Sequence, residues 1–154
     1  MDDSHCPECG AAWPSGQTCV DAFHTLGFWE MDGGLLEVHH LMVLCYHLQH
    51  PSLYSPEGLA GAMRLLVEFV ERGVSPQAVR QRVARALDSG VRRHKIKGTA
   101  GSHGAYAHPV TWSTTATDVV AAGIDHYNDT VRAWARSVLQ SLQDSGNLAR
   151  QGES

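Results

Sequence analysis

The stretch LLEVHHLMVLCYHLQH, residues 35–50, constrains the fold more than any other part of the chain. Nothing in it breaks a helix until His50-Pro51, where the residue before proline is pushed out of the helical region. A helix turns about 100° per residue, which puts His39, Val43, Tyr46 and His50 along one stripe. His40 and His47 form a second stripe, with Glu37 one turn before His40. Val38, Leu41, Cys45 and Leu48 fill the opposite face. A helix that is apolar or histidine almost all round belongs at the centre of a bundle. Other helices must therefore surround it.

The flanking sequence supplies them. Thr18 is an N-cap candidate, and Val20, Phe23, Leu26 and Phe28 mark an apolar stripe that ends at Asp32-Gly33-Gly34. Ser55-Pro56 and Ser75-Pro76 each pair an N-cap with proline at the first helical position. The helix from Ser55 runs to about Arg72 and stops at Gly73. The next runs from Pro76 to about Arg93, with Val79, Val83, Ala86 and Leu87 inward. Residues 94–115 form a long connection in which Gly98, Gly101 and Gly104 alternate with Thr, Ser and His, and long connections often carry function. Thr115 to Asp118 reads as a capping box with Asp in place of Glu, opening a last helix from about Thr117 to Gln143. No strand pattern competes. The expectation is an all-α single domain over residues 1–154. It comprises a cysteine knuckle at 1–17, a bundle of four to five helices at 18–143, and a frayed polar tail at 144–154.

Composition narrows the partners. The chain has 154 residues and a formal net charge of −4, so it lacks the basic footprint that a nucleic-acid backbone demands. The one basic run, Arg92-Arg93-His94-Lys95, reads as a solvated helix end. The start, Met1-Asp2-Asp3-Ser4, is acidic rather than basic then apolar, and no stretch approaches the roughly 18 apolar residues of a membrane span. We expect a cytoplasmic protein that engages neither membrane nor nucleic acid. A small molecule, a protein partner and a second copy in a homodimer all stay open.

The chemistry concentrates in cysteine and histidine. Cys6-Pro7-Glu8-Cys9-Gly10 is a C-x-x-C turn, whose two thiolates suit one tetrahedral zinc. Pro7 stiffens the turn, and Gly10 lets the backbone swing so that its amides face sulfur. In a reducing compartment clustered cysteines mean metal more often than disulfide. A thioredoxin-like redox pair would want a βαβ context, which is absent. One knuckle is half a site. Cys19 is the nearest third ligand, and His5 and His24 are the local candidates for a fourth.

Ten histidines in so short a chain are the other unusual feature. Buried histidines need partners, either a metal or carboxylates such as Asp21, Glu30, Glu37, Asp125 and Asp129. Glu37-x-x-His40 has the spacing of carboxylate-bridged di-iron bundles, but only Asp21-x-x-His24 imitates the second copy such a site requires. A mononuclear site could instead draw His39, His50 and His126 from different helices, with His24 as a substitute. The candidate metal ligands are thus Cys6, Cys9, Cys19, His24, His39, His50 and His126, with zinc as the cofactor. The leading reading is a zinc-binding helical bundle of unassigned activity. The alternative is a zinc-dependent hydrolase or thiol-transfer enzyme. Its open metal site would be lined by His39, Tyr46, His50 and His126, with His39, Tyr46 and His50 as candidate acids or bases.

These residues also carry a resemblance. CPECGA at 6–11, then Cys19, VHHLMVLCYHLQHP at 38–51 and HYNDTVRAWARSVL at 126–139 together resemble an uncharacterised bacterial family, the domain of unknown function numbered 5946. The matching positions are Cys6, Cys9, Cys19, His39, Tyr46, Gln49, His50, Pro51, His126 and Trp134. The departure lies around residues 12–19, where the family's longer insertion is shortened. The resemblance implies a metal-binding bundle and brings no activity with it. A looser analogy links the chain to DinB-like four-helix bundles, which hold a metal with three histidines from different helices but lack the cysteine knuckle.

Overall fold

Helices begin where a side chain can cap them and end where a glycine can turn the backbone. The computed structural model describes residues 4–13, 16–88, 98–99 and 101–149. Helix α1 spans Cys19–Gly33. Its N-cap Thr18 accepts from the Asp21 amide while the Asp21 carboxylate accepts from the Thr18 amide, a complete capping box. Gly34, at φ +67°, closes it in the left-handed region. Helix α2 spans His39–Leu48, four residues shorter at its start than the unbroken 35–50 pattern suggests. Residues 35–38 are spent on the turn out of α1, and Val38 offers no capping side chain.

A short 3₁₀ turn at Pro51–Leu53 precedes α3, Pro56–Val70, where the Ser55 hydroxyl accepts from the Gly58 amide. Helix α4, Pro76–Asp88, is capped by Ser75 in the same way. The continuation towards Arg93, the side chains of Val83, Ala86 and Leu87, the basic run and the tail beyond Ala149 lie outside the described residues. Helix α5 spans Ala116–Ala122 behind the Thr115–Asp118 capping box. Helix α6 spans Tyr127–Asp144.

The chain is all-helical, as the patterning predicts, with no strand among the described residues. There are six α-helices there rather than four to five. One difference comes from Gly123, at φ +86°, which splits the last predicted helix into α5 and α6. A glycine in this extended, positive-φ conformation ends the ladder of i→i−4 bonds, and the next helix must start afresh.

Two compact units result. The first contains residues 1–50 and 106–154, so it holds α1, α2, α5 and α6. Within it α2 packs on α6, α1 on α5, and α5 on α6. Leu26, Met42, Leu48, Val119, Val131, Trp134, Val138 and Leu142 are fully buried there. Burying one such side chain contributes about 1.5–3 kcal/mol. Returning strands of loop are tied down by side chains: the Gln49 amide donates to the Thr114 carbonyl (2.7 Å), and Tyr106 donates to the Leu48 carbonyl. The second unit, residues 51–105, holds α3 and α4, joined by an Arg82–Glu68 ion pair, and buries Leu66 completely. No helix among the described residues is long and apolar enough to cross a membrane.

Candidate metal centre

The N-terminal knuckle folds as a tight loop on its own backbone. The Cys6 amide donates to the Ala11 carbonyl (2.8 Å), the Gly10 amide to the Cys6 carbonyl (3.0 Å), and the Trp13 amide to the Ser4 carbonyl (2.6 Å). An antiparallel bridge between His5 and Ala12 closes the base of the loop. Gly10 sits at φ +77°, a conformation that costs an L side chain about 1–2 kcal/mol. That turn brings the Cys9 amide over the Cys6 sulfur, at 3.4 Å. Both sulfurs therefore face the same side of the loop.

Two helix ends complete the group. Cys19 is the first residue of α1, where the helix dipole favours a thiolate. His50 follows Gln49, the C-cap of α2. The ligand atoms of Cys6, Cys9, Cys19 and His50 all lie within 4.8 Å of one another, and all four residues are buried. Cys9 Sγ is 3.6 Å from Cys19 Sγ, and Cys6 Sγ is 3.6 Å from His50 Nε2. A disulfide would need its sulfurs about 2.05 Å apart, so the thiols are free. Such a group could hold a metal ion.

The surroundings prepare each member for that task. The His50 Nδ1–H donates to the Tyr46 carbonyl at 2.6 Å, which leaves Nε2 pointing at the sulfurs. The Tyr46 ring lies against the His50 ring (centroids 4.5 Å apart) and stacks on Phe23 (4.4 Å). The Trp13 indole N–H donates to Cys19 Sγ at 3.4 Å. This donor gives no sign in the sequence pattern.

Charge within the group is already polarised. A hydrogen bond from Cys9 lowers the Cys19 thiol to about 4 against the cost of burial, helped by His50 and Trp13. Cys9 is pushed up as the donor of that pair and by burial. Burial disfavours a charged His50, but its hydrogen bonds to Cys19, the Tyr46 carbonyl and Cys6 outweigh this and raise it to about 9. Tyr46 is pushed up to about 12 by burial and by the neighbouring cysteines. Cys45, fully buried elsewhere on α2, is raised by desolvation alone.

The other histidines considered from sequence sit elsewhere. His24 is exposed on α1, and its ring neighbours Phe23. His39 Nδ1–H donates to the buried Glu30 carboxylate, 2.7 Å away, while its side chain stays 53% exposed. His126 is exposed at the start of α6 and borders a shallow, open surface groove beside Leu35 and Ile124. Glu37 accepts instead from Asn128 (2.8 Å) and Arg132 (3.1 Å). Among the described residues, the three cysteines with His50 are the metal-competent group.

Residues 4–143 match the sequence profile of DUF5946, a family of unknown function. The chain belongs to the DUF5946 family. No curated protein and no solved structure shows a match to it. DUF5946 membership thus covers the knuckle, both helix ends that bear ligands, and the α6 segment, without assigning an activity to any of them.

Proposed function

We propose that this DUF5946 protein binds zinc in a closed structural site made of Cys6, Cys9, Cys19 and His50. The observation that carries the reading is the buried convergence of three sulfurs and one imidazole nitrogen within 4.8 Å. With Zn–S near 2.3 Å and Zn–N near 2.0 Å, a tetrahedral ion spaces its ligands about 3.5–3.8 Å apart. The two close pairs, at 3.6 Å each, match that spacing. The donor set also favours zinc: thiolate-rich sites with one imidazole select zinc over the harder oxygen-seeking cations.

Closure supports a structural role over an enzymatic one. Four protein ligands fill a tetrahedron, whereas a catalytic zinc keeps one position open for water or substrate. Each ligand except the metal-facing atom is also engaged. Cys6 accepts from the Cys9 amide, Cys9 from the Ala11 backbone, Cys19 from Trp13, and His50 donates to Tyr46. Three thiolates on a divalent ion leave a net negative charge, and these N–H donors offset it. The ion would tie the loop, the start of α1 and the end of α2 together. Four free cysteines fit a reducing compartment, the cytoplasm.

Elemental analysis of purified protein, repeated on Cys6→Ser and His50→Ala, tests this. The expected result is one zinc per chain, lost from both variants on challenge with a chelator that leaves the wild type loaded. Cobalt substitution should give the visible bands of a tetrahedral thiolate site. Protein that takes up no zinc, or a His50→Ala variant that keeps it as tightly as wild type, would refute the reading.

A further inference from the structure

Helix α1 has a second apolar face. With Val20 set at zero and about 100° per residue, the buried Cys19, Ala22, Leu26 and Glu30 centre near 240°. Gly27, Val20, Met31, His24 and Phe28 form a separate arc, from about −20° to 80°. Polar Asp21, Asp32 and Thr25 are left with only the arc from about 100° to 140°. Val20 is 50% exposed, Phe28 65% and Met31 76%, with His24 exposed among them. A helix that served one core alone would carry charged and polar residues across this arc.

Gly27 points the same way. Its backbone is ordinary helix rather than left-handed, so no turn requires it. A glycine inside a helix weakens it relative to alanine. Nothing lies within 4 Å of the position a Cβ would take, so packing among the described residues does not require it either. A bare position between large exposed side chains suits the close approach of another helix.

The spacing selects that helix. Val20, His24, Gly27 and Met31 are separated by four, three and four residues, the stagger of a coiled-coil seam. The same steps read in both directions, as a two-fold contact between identical chains demands. Two copies turned antiparallel about the point between Thr25 and Leu26 set Val20 of each against Met31 of the other. His24 of each then fills the space over Gly27 of the other, and Phe28 covers one flank. The helix dipoles oppose, and Asp21, Thr25 and Asp32 stay on a polar rim. The exposed parts of Val20, His24, Phe28 and Met31 amount to roughly 450 Å² per copy, so a pair buries about 900–1,000 Å², the low end for a specific interface. An area of that size fits a weak dimer, with a dissociation constant in the micromolar range.

We propose that the outer face of α1 is a homodimer interface, in which two copies of the chain pair antiparallel through Val20, His24, Gly27, Phe28 and Met31. Cys19 lies at about 260°, away from the seam, so the pairing does not depend on a metal ion.

Sedimentation velocity on the full-length protein, from about 1 to 500 µM, tests this. The expected result is a shift from monomer to dimer as concentration rises. Met31→Glu changes a residue exposed in the single chain, so it should keep the helical circular-dichroism signal and stay monomeric throughout. Phe28→Glu should do the same from the flank. Gly27→Ala should move two readouts in opposite directions. Where the chain is monomeric, its thermal midpoint should rise by about 2–4 °C, because alanine favours the helix. Its dimer should weaken about tenfold or more, because the methyl stands where His24 of the other copy packs. A wild-type chain that stays monomeric at the highest concentration overturns the proposal. So does a dimer that survives both glutamate substitutions, since another face would then hold it.

Discussion

The indole N–H of Trp13 points at the sulfur of Cys19 from 3.4 Å, across the gap between the knuckle and α1. A donor to a metal-bound thiolate spreads its charge and fixes its direction. Removing such an outer contact commonly costs 10- to 100-fold in metal affinity. Trp13→Phe keeps a ring in place and deletes only the donor. We expect about tenfold weaker zinc binding in chelator competition, with the helical circular-dichroism signal unchanged. Equal affinity would mean that the contact does not act on the sulfur.

Metal binding should release protons at neutral pH. In the metal-free chain His50 is held charged up to about 9, and Cys9 keeps its proton because it donates to Cys19. Both must lose that proton to become ligands, whereas Cys19, lowered to about 4, is already a thiolate. Protons therefore compete with the ion, and affinity falls as pH falls. Calorimetric titration at pH 7 in buffers of differing ionisation enthalpy should show release from both Cys9 and His50. His50→Ala should release one proton fewer. An affinity independent of pH between 6 and 8 would contradict the assignment.

Gly10 should be hard to replace. Nothing lies within 4 Å of the position a Cβ would take, so the cost of Gly10→Ala is set by its φ of +77° alone. A left-handed alanine costs about 1–2 kcal/mol, which corresponds to roughly 5- to 30-fold in the metal-binding constant. Gly10→Asn, which tolerates this region better, should lose less. The comparison separates backbone strain from any loss of packing.

Removing the ion should destabilise the unit that contains it. A ligand bound a thousandfold above its dissociation constant adds about 4 kcal/mol to stability. Thermal unfolding with and without a chelator should therefore show a clear drop in midpoint. Cys19→Ser should unfold at the lower midpoint whether or not zinc is added. A chelator that leaves the midpoint in place would argue against a structural ion.

Much of this architecture was readable from local rules. Thr18, Ser55, Ser75 and Thr115 cap the helices they precede in sequence, because a cap is settled by one side chain and amides two or three residues away. Gly123 was harder, since a glycine inside a periodic pattern can be tolerated or can end a helix, and only packing decides. The histidines were harder still. A helical stripe says that His39 and His50 face one way, but not which of the two meets the sulfurs. His50 joins the sulfurs because it lies past the C-cap, within reach of Cys6, while His39 stops at Glu30. The Trp13 contact depends on how the loop docks on α1, which no spacing encodes.

The four members of the thiolate group all come from the first fifty residues, although the main packing partner of α2, helix α6, begins only at Tyr127. During synthesis the whole ligand set leaves the ribosome long before α6 exists. A newborn chain could thus hold an ion there, if the proposed site binds one, while α2 still lacks its apolar cover. An ion bound there would act as a placeholder, fixing the angle between the ends of α1 and α2 until the last helix arrives to seal the core.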